Sequence, residues 1–319
     1  LSGILQLLFN AADIVVVGQF SGSDSLAAVG STGSLNNLIV NIFLGLSIGS
    51  SVLVAQYYGA QDWDGVRDVV HTSMLLSAIA GVILIFVGIL LAAPLLEVMG
   101  TPEKVLGQAV LYMRIVFAGM PAMMIYNFGA AILRAVGDTR RPLIFLFIAG
   151  VINVILNLFF VIVFHMGAAG VALATVISQC ISAILVVFCL MRSSGCYKLC
   201  LRQLRITKEK LLHIVRVGLP AGIQGAVFSV SNVLIQSSIN SFGYIAVAGN
   251  TAASNIEGFV YTSMNALYQA SLSFTSQNTG ARKTDRIVPV LARCLGCVVV
   301  IGIGLSSLIL LFGKQLLGI

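Results

Sequence analysis

The sequence predicts an all-α protein, a polytopic membrane helical bundle of about nine helices, on three observations. Of 319 residues, 58% are hydrophobic and only 9% charged, whereas a soluble domain carries about 25% charged residues. Mean hydropathy is +1.03. So few charges cannot clothe a surface that faces water, but a surface that faces lipid needs none. Second, apolar runs of the length that crosses a bilayer, about 20 residues, recur at 1–20, 32–57, 69–93, 108–133, 142–164, 168–191, 215–240, 246–279 and 287–312. Third, basic residues gather in every second connection: Arg67; Arg134, Arg140 and Arg141; the stretch from Arg192 to Arg216; and Arg282, Lys283, Arg286 and Arg293. Only Lys104, Arg114 and Lys314 of the 18 basic residues fall on the other side. The positive-inside rule therefore places the N-terminus in the cytoplasm of a multi-pass inner- or plasma-membrane protein.

The net charge of +7 does not point to nucleic acid, because the basic residues are spread over short loops between apolar runs. Among six cysteines, Cys294 and Cys297 form a CxxC at the entrance to an apolar run, with no second pair and no nearby histidine. They read as small apolar helix residues. His71, His165 and His213 lie near loops without metal-ligand or triad spacing, and no GxxxxGK[ST] is present, so the chain is not expected to be an enzyme or to hydrolyse ATP. The chain opens on Leu1 inside an apolar run, so an N-terminal segment is expected to precede it.

A repeat is visible at a spacing of about 220 residues. Ser2-Gly3-Ile4 resembles Ala221-Gly222-Ile223, and Asp13 aligns with Asn232. Val54-Ala55-Gln56-Tyr57-Tyr58-Gly59-Ala60 aligns with Thr275-Ser276-Gln277-Asn278-Thr279-Gly280-Ala281, so Gln-x-x-Gly-Ala closes the second helix of each copy. Six helices plus a basic linker per copy keep both copies in one orientation, a parallel repeat about an axis along the membrane normal. The expected organisation is an N-lobe of six helices at 1–191, a basic cytoplasmic linker at 192–214 and a partial C-lobe of three helices at 215–319. The linker's Leu204, Leu211, Leu212 and Val215 could form one face of a short interfacial helix. Three further helices are expected to follow, and the chain without them is not expected to transport.

Two acids lie inside these spans. Asp13 sits in Phe9-Asn10-Ala11-Ala12-Asp13, and Glu257 in the eighth run. A charged group at mid-bilayer costs roughly 2.5–3.5 kcal/mol on insertion scales and is usually retained where it faces a cavity or a partner. Burial disfavours an ionised carboxylate and a bound cation favours it, so such a group can exchange one small cation for another. Asn153 and Asn157, four residues apart, share one face of the fifth run, and their amide oxygens are hard ligands. Glu257, with Gln224, Asn232 and Asn255, forms a possible second proton or substrate site, and Glu257 could instead pair with Arg293. Pro121 inside the fourth run is expected to kink it. Pro220 is expected near the start of its helix, where proline is tolerated. Gly45-x-x-x-Gly49 permits close helix packing.

Phe9 to Asp13 with Val17-Gly18, Val54 to Ala60, and Ile132-Leu133-Arg134-Ala135-Val136-Gly137-Asp138-Thr139 resemble the multidrug-and-toxin-extrusion (MATE) transporters, and the resemblance runs over essentially the whole chain. It implies a MATE-like fold of twelve helices in two six-helix lobes, the second incomplete here. It also implies an antiporter that exports small, cationic or amphipathic organic molecules in exchange for protons or sodium. On this reading the partners are the bilayer and a small-molecule substrate, the chain is monomeric, and no cofactor is needed beyond H+ or Na+ as coupling ion. Members with an N-lobe cation site match at Asp13, Asn153 and Thr175. Where they carry a second acid this chain has Asn157, which removes one negative charge and leaves proton against sodium open. The alternative is a flippase for a lipid-linked saccharide of related fold. It is disfavoured because an anionic lipid calls for cavity cations and the spans hold almost no Arg or Lys.

Overall fold

The computed structural model of the chain describes residues 2–20, 22–99, 101, 103–240, 242 and 244–316, all helix or short connection. Ten α-helices run in order: α1 Ser2–Phe20, α2 Gly22–Gly59, α3 Trp63–Val98, α4 Glu103–Ala118, α5 Met120–Ala135, α6 Arg140–Leu158, α7 Gly167–Arg192, α8 Lys208–Asn240, α9 Tyr244–Gly280 and α10 Ile287–Leu316. Among the described residues, seven spans are long and apolar enough to cross a membrane, or eight with α4 and α5 taken as one bent span. The eighth expected run is also a helix, α9, but polar residues such as Glu257, Asn265 and Gln269 keep it outside that set.

Local chemistry sets several of the ends. Asp62 caps α3, its carboxylate accepting the Gly65 N–H at 2.9 Å, one of the donors a helix start leaves free. α4 and α5 meet at Gly119 with a 47° bend. Pro121 stands in the first turn of α5, where a missing N–H breaks no helical bond. α6 continues into a π turn, Phe159–Val163, closed by the Phe164 N–H on the Phe159 carbonyl at 3.4 Å.

The linker differs from expectation. Only residues 193–207 connect α7 to α8, with a 3-10 turn at Leu201–Gln203, and α8 already begins at Lys208. Leu211, Leu212 and Val215 therefore belong to α8, Leu204 lies outside it, and no separate interfacial helix forms. Pro220 lies well inside α8. The reason is that Lys208 to Arg216 are good helix formers whose charge lowers hydropathy without stopping the helix.

α2 is the central element, packed against α3, α4, α5, α8 and α9. One core lies among α2, α3, α4, α5 and α7, around Leu84, Met113, Phe117, Met124 and Phe128. A second lies towards the basic connections, around Val54, Val70, Leu133, Val186, Leu190 and Ile214. Leu90, Ile184, Val300 and Leu310 point outward at 66–86% exposure, the pattern of side chains whose solvent is lipid.

The sequence repeat reappears as geometry. Gln61 and Arg282, 221 residues apart, both take positive φ, 58° and 56°. The turns around them have matching bonds: Ala60 N–H to Gln56 O and Ala281 N–H to Gln277 O, both at 2.9 Å. The two turns also pack on each other reciprocally. A Cβ on Gly59 would strike the Gln277 backbone, and one on Gly280 would strike that of Gln56. Gly222 likewise lies on Ile42 of α2, and its counterpart Gly3 on Thr262 of α9. α2 and α8 are joined along Gly45, Gly49, Gly218 and Gly222, where any Cβ would meet backbone atoms of the other helix. Farther from the basic connections, Gly30 and Gly33 of α2 have nothing within 4 Å of a would-be Cβ among the described residues. The α2–α8 contact is therefore tight at the basic end.

Candidate functional site

The site forms where α1, α6 and α7 meet. Gly150 has no side chain, so the Phe9 ring seats directly on α6. One turn farther along α1 and two along α6, Asp13 meets Asn157. Gly150, Asn153 and Asn157 are spaced three and four apart and so lie on one face of α6.

The polar side chains link in series. The Asn157 amide donates to Asp13 Oδ1 and, at 3.2 Å, to Asn153 Oδ1. Asn153 donates to Thr175 Oγ1 at 3.4 Å, and the Thr175 hydroxyl donates to the Val171 carbonyl at 2.9 Å. Asn153 and Asn157 are buried, at 5% and 0% exposure, while Asp13 and Thr175 are half-buried. A carboxylate only accepts hydrogen bonds, so Asn157 turns its NH2 to Asp13. Its own carbonyl oxygen is then left buried with no hydrogen-bond partner among the described residues. Buried acceptors are rarely left so. A carboxylate, two amide oxygens and a hydroxyl form an all-oxygen donor set suited to a small hard cation. Among the described residues no three His, Cys, Asp or Glu cluster as metal ligands.

Sequence reasoning missed Gly150, since the meaning of that glycine lies in α1.

The second candidate group does not assemble around Asp13. Gln224 and Asn232 are exposed on α8, and Glu257 is exposed on α9. The side chain of Asn255 lies outside the described residues. Among the described residues no ion pair joins Glu257 to Arg293. One polar contact between the repeats is Asn41 of α2 donating to Ser229 of α8 at 2.9 Å. Pro121 stands at the α4–α5 bend, with Gly81 of α3 against its backbone.

An all-helical bundle of apolar spans, doubled by an internal repeat and holding a buried oxygen-lined site, defines a multi-pass membrane transporter rather than an enzyme. The family model described as MatE matches residues 1–159 and 220–319, and the chain belongs to that family. It is 32% identical over 327 residues to "Probable multidrug resistance protein YoeA" of Bacillus subtilis (strain 168), covering 100% of this chain and 70% of that protein. It is 30% identical over 289 residues to "Probable multidrug resistance protein YpnP" of the same organism, covering 90% and 64%. A solved structure described as the outward-facing conformation of a multidrug resistance MATE family transporter of the MOP superfamily superposes with TM-score 0.90 at 26% identity. It covers 99% of this chain and 70% of that one.

Proposed function

We propose that the protein is a cation-coupled antiporter that expels small organic molecules, drugs among them, across the cell membrane. Asp13, Asn153, Asn157 and Thr175 take the coupling ion, H+ or Na+. The observation that carries this reading is the unpartnered carbonyl oxygen of Asn157 beside Asp13. A cation between them would satisfy both groups. The similarity to proteins named for multidrug resistance supports the organic substrate. The alternating basic connections support a cytoplasmic N-terminus.

The lobes would be residues 1–191 and the helices from α8 onward. Their contact is tight at the basic end, at Gly45, Gly49 and Gly59. Rocking the lobes about this seam would alternate access. Coupling requires the cation to favour one arrangement and the substrate the other.

Equilibrium binding tests this reading. Ethidium affinity of the purified protein is measured by fluorescence as Na+ and pH are varied. Occupancy of the site should weaken ethidium binding by a factor in the range of about 5–150, and Asp13→Asn should remove that dependence. An Asp13→Asn protein with unchanged ion dependence would refute the proposal.

A further inference from the structure

The three helices of the site carry valine one turn farther from the basic connections. On α1, Val17 follows Asp13 by four positions. In the π turn after α6, Val161 follows Asn157 by four. On α7, which runs the opposite way, Val171 precedes Thr175 by four. These valines pack together with Val16. Val17, Val161 and Val171 are buried, at 0%, 1% and 1% exposure. Beyond them lies a cavity of about 320 Å³ lined by Phe20, Ser25, Gln108, Val161 and His165, with the turn that opens α7. It is polar, with Ser25 donating to Gln108 Oε1 at 3.3 Å. Val161 belongs to both the cavity wall and the valine layer.

We infer that this cavity is the vestibule through which a hydrated small cation reaches Asp13 from the side away from the basic connections. Val17, Val161 and Val171 form the dry gate between them. The inference rests on the cation-site reading above and deepens it. A water needs two to four polar partners to stay in a protein interior, and a layer of buried valine side chains offers it none. Apolar constrictions of this kind gate by dewetting. The moving part is the π turn Phe159–Val163, whose wider pitch carries Val161. Such turns inside α-helices gather at functional sites, and a return to α pitch would swing Val161 relative to Asn157.

The test reads the carboxyl itself. The purified protein is treated at fixed pH with a water-soluble carbodiimide and glycine ethyl ester, and modification of Asp13 is followed by peptide mass spectrometry. Threonine keeps the shape of valine and adds a hydroxyl that can hold water. Asp13 is half-buried and labels at a base rate from its exposed edge; wetting the gate opens a second route, so Val161→Thr or Val17→Thr should speed labelling above the wild-type rate. Unchanged rates in both variants overturn the gate. As a second measurement, Ser25→Cys is capped with a charged methanethiosulfonate in the Val161→Thr background, with Val161→Thr alone treated in parallel to account for the native cysteines. Capping should reverse the gain, and a rate indifferent to capping overturns the vestibule. The cation-site reading fails separately. If Asp13→Asn keeps its ion-dependent ethidium binding while the labelling behaves as described, the coupling role is refuted and the water path stands.

Discussion

Asn157 donates its amide to the carboxylate of Asp13 across 144 residues of chain, while its own carbonyl oxygen stays buried without a partner among the described residues. One side chain thus satisfies the acid and presents a vacant acceptor next to it. An unpaired buried acceptor costs about 1–3 kcal/mol, a cost that a cation held beside Asp13 would remove.

Removing that side chain separates structure from function. Hydrogen bonds between membrane helices are worth about 0.6 kcal/mol on average, so Asn157→Leu should lower the melting temperature by only a few degrees. It should nevertheless abolish ion-dependent transport. Asn157→Asp keeps an oxygen at the same place and adds charge, so it should retain coupling with stronger cation dependence. Flux against Na+ concentration and pH, together with thermal unfolding in detergent, checks both variants.

The glycine seam should respond position by position. A Cβ on Gly49 would meet the Ile214 carbonyl and the Gly218 backbone, whereas one on Gly225 would come no closer than 3.4 Å to Asn41, and one on Gly33 would meet nothing within 4 Å. Forcing atoms into packed contacts costs about 1–3 kcal/mol. Gly49→Ala and Gly45→Ala should be clearly destabilised, and Gly225→Ala and Gly33→Ala nearly neutral. Fluorescence-detected thermal unfolding gives the ranking.

The reciprocal turns should respond as a pair. Gly59 and Gly280 each lie against the other repeat's glutamine backbone, and Gln277 also donates to the Ala135 carbonyl at 2.7 Å. Gly59→Ala and Gly280→Ala should lower stability by similar amounts. Their double variant should lose less than the two separate losses added together, because both act on one interface.

The linker between α7 and α8 is held chiefly by buried polar contacts. His71 Nε2 accepts the Cys200 N–H at 3.1 Å, and Thr72 Oγ1 accepts the Thr207 N–H at 3.2 Å. The Arg205–Asp68 pair at 2.8 Å is largely exposed on its arginine side, and such pairs contribute about 0–1 kcal/mol. Tryptic cleavage at Arg202 and Arg205 should therefore speed up several-fold in His71→Ala and hardly change in Asp68→Asn.

Much of this was legible in the sequence. Hydropathy located the apolar runs, because lipid-facing spans admit so few charges, though the fourth run is two helices, α4 and α5, meeting at a bend; Gln-x-x-Gly-Ala gave the repeat that the turns at Gln61 and Arg282 display. Asp13 stood out as an acid flanked by apolar residues, with Asn153 and Asn157 on one helical face. Other parts left no trace. The start of α8 at Lys208 was hidden because charge, not propensity, set the expected boundary. Glu257, read as part of a possible second site, is exposed on α9. Gly150 and the valine layer acquire meaning only when α1, α6 and α7 come together, and a valine in an apolar run carries no mark of its neighbours.

The most direct test of the central claim is gradient-driven efflux. The wild type and Asp13→Asn are expressed in the membrane as parts of the whole transporter, and ethidium efflux is followed under imposed proton and sodium gradients. The account predicts rapid efflux by the wild type under at least one gradient and none above background by Asp13→Asn at equal expression. Equal gradient-driven efflux by both proteins would contradict it.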